Sequence, residues 1–533
     1  MIDDFDAFED RALRIEVAAR NVVAVCREDR FGRGWRPKGI DEVAIVLESL
    51  GYSTDVIAEL WYDSLFTFAG DVAKLVDKYI TDAERAEVRD VRWFVRSCRE
   101  YALGALYSGP WIAAVIGLAV FGAALWSSLS TPLSIATAIA LGTFGGLIAS
   151  GIVAQMVGRR IASYQLEDDP ALVSFVLERI LGWSACAFAV VALLGWLALR
   201  AAYGDPDAAL AGGFFFASSL FELALAPLYA LRRFASVAVV SVVAILITGV
   251  TFSVGFHRVV TVPIEPATLA AEIALIGAIV LVATLGWLRG KVPGHSRIKL
   301  APAMRTIVRT TLPYGVFGAL YFSTIVVDHL VAGFGRDGRY FYRSGYEFGC
   351  DIALVATIPA IGAINVAMES LPRRILACAT RGLEHIAIFD REMRDFYLRS
   401  AASVLALTTL AVMLAEFVGA RVLAHAVLGT HGKDELEALF VLRYAAIAYG
   451  ILMLGLLNAQ LLFLMSRPLG PLAAASSAVL VNAAVCGFGR LAGLPPKFCV
   501  FGLLAGVVVF AALTSVAAYR VARDFTFHYF AGF

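Results

Sequence analysis

The stretch YSGPWIAAVIGLAVFGAALW, Tyr107 to Trp126, divides two kinds of chain. Before it, DAERAEVRDVRWFVRSCRE carries a charge at almost every second or third position; after it the next charged residue is Arg159. Ser108 is a candidate N-cap, Pro110 suits the first turn of a helix where its missing N–H is not needed, and Trp111 is an amphipathic ring suited to a membrane interface. The local reading is a helix that starts at a bilayer surface. The whole chain supports it: of 533 residues 59% are hydrophobic and 17% charged, against about 25% charged in a soluble domain.

Apolar runs of about twenty residues recur and are continuous, which points to spanning helices and not to the alternating strands of a membrane barrel. About twelve spans are expected, near 109–129, 132–157, 180–199, 208–230, 234–254, 268–288, 311–334, 346–368, 400–420, 440–465, 468–489 and 498–520. Arginine and lysine concentrate in alternate loops (Arg159, Arg160, Arg179; Arg232, Arg233; Arg289 to Arg309; Arg373 to Arg399; Arg520, Arg523). The positive-inside rule then puts both termini in the cytoplasm. One loop dissents: GRDGRYFYRSG places Arg336, Arg339 and Arg343 outside. MIDDFDAFED is acidic and no apolar core follows it, so no cleavable signal is expected.

The expected fold is an all-α integral membrane protein. A small cytoplasmic helical domain (1–90) precedes an N-lobe (91–290, spans 1–6), a basic proline-containing linker (291–310) and a C-lobe (311–533, spans 7–12). Two helical bundles with a central site between them is a common transporter plan. In the first domain Asp41 and Ser53 read as N-caps and Gly51 as a helix stop. No catalytic constellation stands there, which favours docking or regulation. The charged segment 369–401 reads as an amphipathic helix on the inner membrane surface, its arginines on anionic lipid head groups.

There is no GxxxxGK[ST], HExxH or GxSxG, so neither an enzyme nor ATP hydrolysis by a P-loop is expected. The seven cysteines are scattered without CxxC or histidine pairing and read as small apolar residues; no metal, no cofactor and no nucleic acid is expected. What remains are ionisable residues inside spans, which are expensive and turn toward a bundle interior or water. Glu222 is mid-span, Asp328 and His329 are late in the seventh span, and Glu347 and Asp351 lie four apart at the start of the eighth, on one helical face. These five are the candidates for a substrate path or ion coupling. Pro227, Pro313 and Pro359 are candidate hinges.

Five stretches in order carry a family resemblance: SGPW (108–111), GRRIASYQLEDD (158–169), VVDHLVAGF (326–334), YEFGCDIALVATIP (346–359) and RDFTFHYFAGF (523–533). Over residues 91–533 the chain resembles the inner-membrane transporter of the Pel exopolysaccharide system, within the MATE-like superfamily of multidrug and polysaccharide flippases. Glu347 stands where that family usually has Asp, and His329 where a Lys is expected; residues 1–90 are longer than the family's lead. The resemblance implies a twelve-helix flippase in the cytoplasmic membrane. Its cargo would be a cationic amino-sugar polymer or its lipid-linked precursor, and its partners the other subunits of a polysaccharide synthase complex. The alternatives are a MATE-like exporter of another cargo, such as a drug or a lipid-linked oligosaccharide, and a non-transporting scaffold for a synthase.

Overall fold

Eleven helices are long and apolar enough to cross a membrane among the described residues, and the only extended pairing there is an isolated bridge between Phe334 and Tyr340. The computed structural model describes residues 15–19, 21–23, 25, 37, 39–50, 52, 57, 62, 64–84, 91–121, 131–166, 170–256, 266–291, 304–335, 337–379, 386–426 and 432–530. They form two units: residues 1–100 with 366–392, and residues 101–365 with 393–533.

The first unit holds α1 (Ile40–Ser49), α2 (Leu65–Glu84) and the first part of α3 (Val91–Tyr107). Its core is aliphatic around the rings of Tyr62 and Phe68, with Val22, Val43, Leu47, Ile57 and Val72. Helix α1 starts two residues earlier than the cap reading implies. Gly39 is its N-cap, and Asp41 falls in the first turn, where its charge favours the positive end of the helix. Ser53 and Gly51 lie outside the described residues. The cap of α2 is Ser64, whose Oγ accepts the Thr67 backbone N–H at 3.2 Å.

The second unit carries the spans: α4 (Gly109–Phe121), α5 (Leu133–Leu166), α6 (Pro170–Tyr203), α7 (Asp205–Ala230), α8 (Phe234–Phe256), α9 (Pro266–Lys291), α10 (Met304–Gly333), α11 (Ser344–Ala353), the start of α12 (Ile358–Ala379), most of α13 (Ile386–Ala426), α14 (Gly432–Leu464), α15 (Leu469–Leu491), α16 (Val500–Arg523) and the short α17 (Phe525–Phe530). Helix α7 packs against α5, α6 and α9, and α8 against α4 and α9. Further along the chain, α14 packs on α11 and α16, and α15 on α10 and α16. The α5–α10 contact joins these two sets. Helix α5 is an inner element, with 61% of its most apolar window buried; α6 buries 17% and turns the rest outward. Leu193 and Leu194 on α6 and Val282 on α9 are among those outward residues, as a lipid-facing surface requires.

Helix α5 meets α10 through glycines. A Cβ on Gly318 would overlap the Gly151 carbonyl oxygen, and one on Gly151 would come 2.9 Å from the Gly318 carbonyl oxygen. Small residues of this kind let membrane helices approach closely without a hydrophobic driving force.

Several details depart from expectation. The first expected span, 109–129, is described only as far as Phe121. Ser108 is buried and its carbonyl accepts the Ile112 N–H, but its hydroxyl caps nothing. The expected surface helix at 369–401 is described at its two ends, which continue α12 and α13; residues 380–385 between them lie outside the described residues. Pro313 and Pro227 sit inside continuous helices. Just before Pro359, a 3₁₀ turn at Leu354–Thr357 separates α11 from α12. A proline there removes the N–H that would bond four residues back.

Candidate functional site

Helices α10 and α11 bring four of the expected residues into one buried cluster. Asp328 and His329 are in the last turns of α10, and Glu347 and Asp351 share a face of α11. Their exposures are 0%, 1%, 1% and 6%. His329 Nδ1 shares a hydrogen bond of 2.5 Å with Glu347 Oε2, and the Tyr340 hydroxyl donates to Glu347 Oε1 at 3.3 Å. The Tyr346 hydroxyl donates to Asp328 Oδ2 at 2.6 Å. His329 Nε2 faces that same carboxylate oxygen at 4.0 Å. Asp328 Oδ1 takes no hydrogen bond; the nearby Asn482 gives its amide to the Thr324 carbonyl at 2.9 Å. The Cys350 thiol lies within hydrogen-bonding reach of His329.

Glu222 is elsewhere, on α7 and half-buried. Tyr107 and Tyr229 stand beside it, their rings 4.5 Å apart between centroids. Tyr107 is in turn within electrostatic range of Tyr321 on α10. Among the described residues Glu222 makes no ion pair and no hydrogen bond. The candidate residues thus divide into a bonded network of Asp328, His329 and Glu347, with Asp351 buried on the same helix face as Glu347, and one acid set apart among tyrosines.

The dissenting loop explains itself by its partners. Arg339 donates to the Ala202 carbonyl at 2.8 Å and pairs with Asp337 at 2.9 Å. Slight desolvation would raise the Asp337 carboxyl, but the Arg339 backbone and guanidinium bonds outweigh it and hold it below the usual carboxylate range. Arg343 lies 3.6 Å from Glu437. The Tyr342 N–H bonds Thr137 Oγ1 at 3.1 Å, so this loop is fastened to the start of α5 and the end of α6. At the far end of α5, Arg159 bonds the Phe463 carbonyl at 3.3 Å and Ser466 Oγ at 2.8 Å, and stacks over Tyr314. Contacts between the two helix sets therefore close both ends of α5.

Sequence reasoning missed Tyr340, Tyr346 and Cys350 because aromatic and thiol side chains are ordinary in apolar runs. It also missed Asn458, fully buried on α14, which takes the Tyr397 hydroxyl at 3.0 Å and donates to Ser515 at 2.9 Å. An uncharged amide in a span was the available signal.

No family model matches the sequence, and the comparison with curated proteins gives no match. Solved structures do match. An outward-facing multidrug resistance MATE family transporter of the MOP superfamily aligns at TM-score 0.55 and 13% identity, over 81% of this chain and 97% of its own. A MOP superfamily transporter from Pyrococcus furiosus aligns at 0.54 and 12%, over 80% and 96%. A eukaryotic MATE transporter aligns at 0.50 and 13%, over 81% and 99%. At these identities the likeness is one of fold: the chain is built as the MATE and MOP superfamily transporters are.

Proposed function

We propose that this chain is an exporter or flippase of the cytoplasmic membrane, with both termini in the cytoplasm. Its cargo on this reading is a cationic exopolysaccharide of the Pel type or the lipid-linked precursor of one. The observation that carries the reading is the setting of Glu222. An acid at bilayer depth costs about 2.5–3.5 kcal/mol by insertion scales unless it is hydrated or paired. Among the described residues Glu222 has no cation partner, and on this reading water or a cationic cargo balances it. Tyr107 and Tyr229 beside it offer aromatic faces for sugar rings and hydroxyls for their oxygens. A carboxylate among tyrosines suits an amino sugar better than a neutral one.

In this scheme α5 and α10 carry the motion between the two helix sets, and the Asp328–His329–Glu347–Asp351 cluster holds α10 to α11. Residues 1–90 dock another subunit of a synthase complex. The deciding experiment measures polymer export in cells and cationic-dye efflux in vesicles for wild type, Glu222→Gln and Tyr229→Ala. Loss of polymer export in both variants at unchanged expression and melting temperature supports the reading. Undiminished export in Glu222→Gln overturns it. Glu222-dependent dye efflux without polymer export would assign a small organic cation instead, as for a multidrug transporter.

A further inference from the structure

Asp328, His329 and Cys350 offer a carboxylate oxygen, an imidazole nitrogen and a thiol sulfur, and these three atoms all lie within 4.8 Å of one another. Asp328 and Cys350 are fully buried and His329 is 1% exposed. Two further features point to a metal ion among them. First, the histidine is oriented as a ligand is: its Nδ1 is held by Glu347 at 2.5 Å, which leaves Nε2 as the nitrogen turned toward Asp328. A carboxylate on the far ring nitrogen fixes the tautomer and raises the basicity of the ligating one. Glu347 is itself steadied by the Tyr340 hydroxyl. Second, Asp328 keeps Oδ1 without a hydrogen bond at zero exposure, and a buried acceptor left unmade is costly.

We propose that Asp328, His329 and Cys350 form a binding site for a divalent transition metal of the zinc class, with Glu347 as the carboxylate that orients His329. The donor chemistry makes the choice. A thiolate with an imidazole suits zinc and its neighbours and is a poor match for the hard ions sodium, magnesium or calcium. Zinc–ligand bonds are about 2.0–2.3 Å, so the three donors draw closer together around a bound ion. A fourth ligand completes the tetrahedron. The ion would tie the end of α10 to α11, next to the loop that reaches α5 and α6. This goes beyond the proposed transport function and does not depend on the cargo.

The test uses the full chain purified in detergent after growth with added zinc. Metal analysis after a weak-chelator wash is expected to give about one zinc per chain. Replacement by Co2+ should produce a thiolate-to-cobalt charge-transfer band in the near ultraviolet. Both signals should be lost in Cys350→Ser and His329→Gln and kept in Cys186→Ser, whose thiol is exposed. Zinc X-ray absorption on the wild type needs no variant to fold: one sulfur at about 2.3 Å with nitrogen and oxygen at about 2.0 Å is expected. A wild-type protein that retains no zinc and gives no cobalt band overturns the site. So does metal that persists in Cys350→Ser, or a zinc shell with no sulfur or with several. Protection by sodium ions in the absence of any zinc binding would also overturn it, as a hard-cation site.

Discussion

The Tyr203 hydroxyl makes two bonds to the backbone of Tyr340: it donates to the carbonyl oxygen at 3.2 Å and accepts the N–H at 2.8 Å. One side chain at the end of α6 thereby fastens the loop after α10, and the Tyr340 side chain runs on to Glu347 and His329. Tyr203→Phe leaves the Tyr340 N–H without this partner, at a cost of about 1–3 kcal/mol where no water replaces it. The expected outcome is faster labelling of a cysteine introduced at Thr137 and a lower melting temperature. Tyr340→Phe keeps the backbone clamp and should leave that labelling rate unchanged; equal rates in wild type and Tyr203→Phe would show the clamp to be inert.

Helix α5 should tolerate nothing larger than glycine where it crosses α10. Gly318→Leu is expected to abolish folded, monodisperse protein, and Gly318→Ala to lower stability by about 1–3 kcal/mol through overpacking. Gly286→Ala is the control, since a Cβ there meets nothing within 4 Å. Thermal unfolding in detergent reads the difference. A Gly318→Ala variant as stable as Gly286→Ala would mean that the helices can separate at no cost.

Asn458→Leu should destabilise the chain although it replaces a polar group in an apolar span by an apolar one. The substitution strands the Tyr397 hydroxyl, which now donates to Asn458 Oδ1. The expected loss is about 1–3 kcal/mol, the usual penalty for a buried group left unsatisfied. Restoring part of it with Tyr397→Phe in the same chain would identify the hydrogen bond as the cause; additive losses would not.

Orientation is checked by labelling with a membrane-impermeant maleimide, in a background where Cys98 and Cys186, both exposed, are serine. Leu494→Cys, in the exposed turn after α15, should label from outside intact cells. Gly290→Cys, at the end of α9 in open space, should label only after permeabilisation. The reverse pattern would invert the topology and place the basic segment 291–310 outside.

Much of the architecture was legible in the residues alone. A run of about twenty apolar residues has one way to satisfy its backbone in lipid, which is a helix, so the spans from 132 onward follow from composition. The acids within them stand out because charge is rare there. Which of those acids meet is another matter. These spans are apolar on every side, so periodicity does not say which face turns inward. Tyr203 and Tyr340 are 137 positions apart and Asn458 and Tyr397 are 61 apart. Their pairing depends on the rotation and crossing of whole helices, set by contacts such as Gly151 with Gly318. Cys350 read as a small apolar residue because its partners, Asp328 and His329, lie on the preceding helix. Only the packing of α10 against α11 turned a thiol, an imidazole and a carboxylate into one set of donors, and only the separate position of Glu222 on α7 kept the fifth candidate out of it.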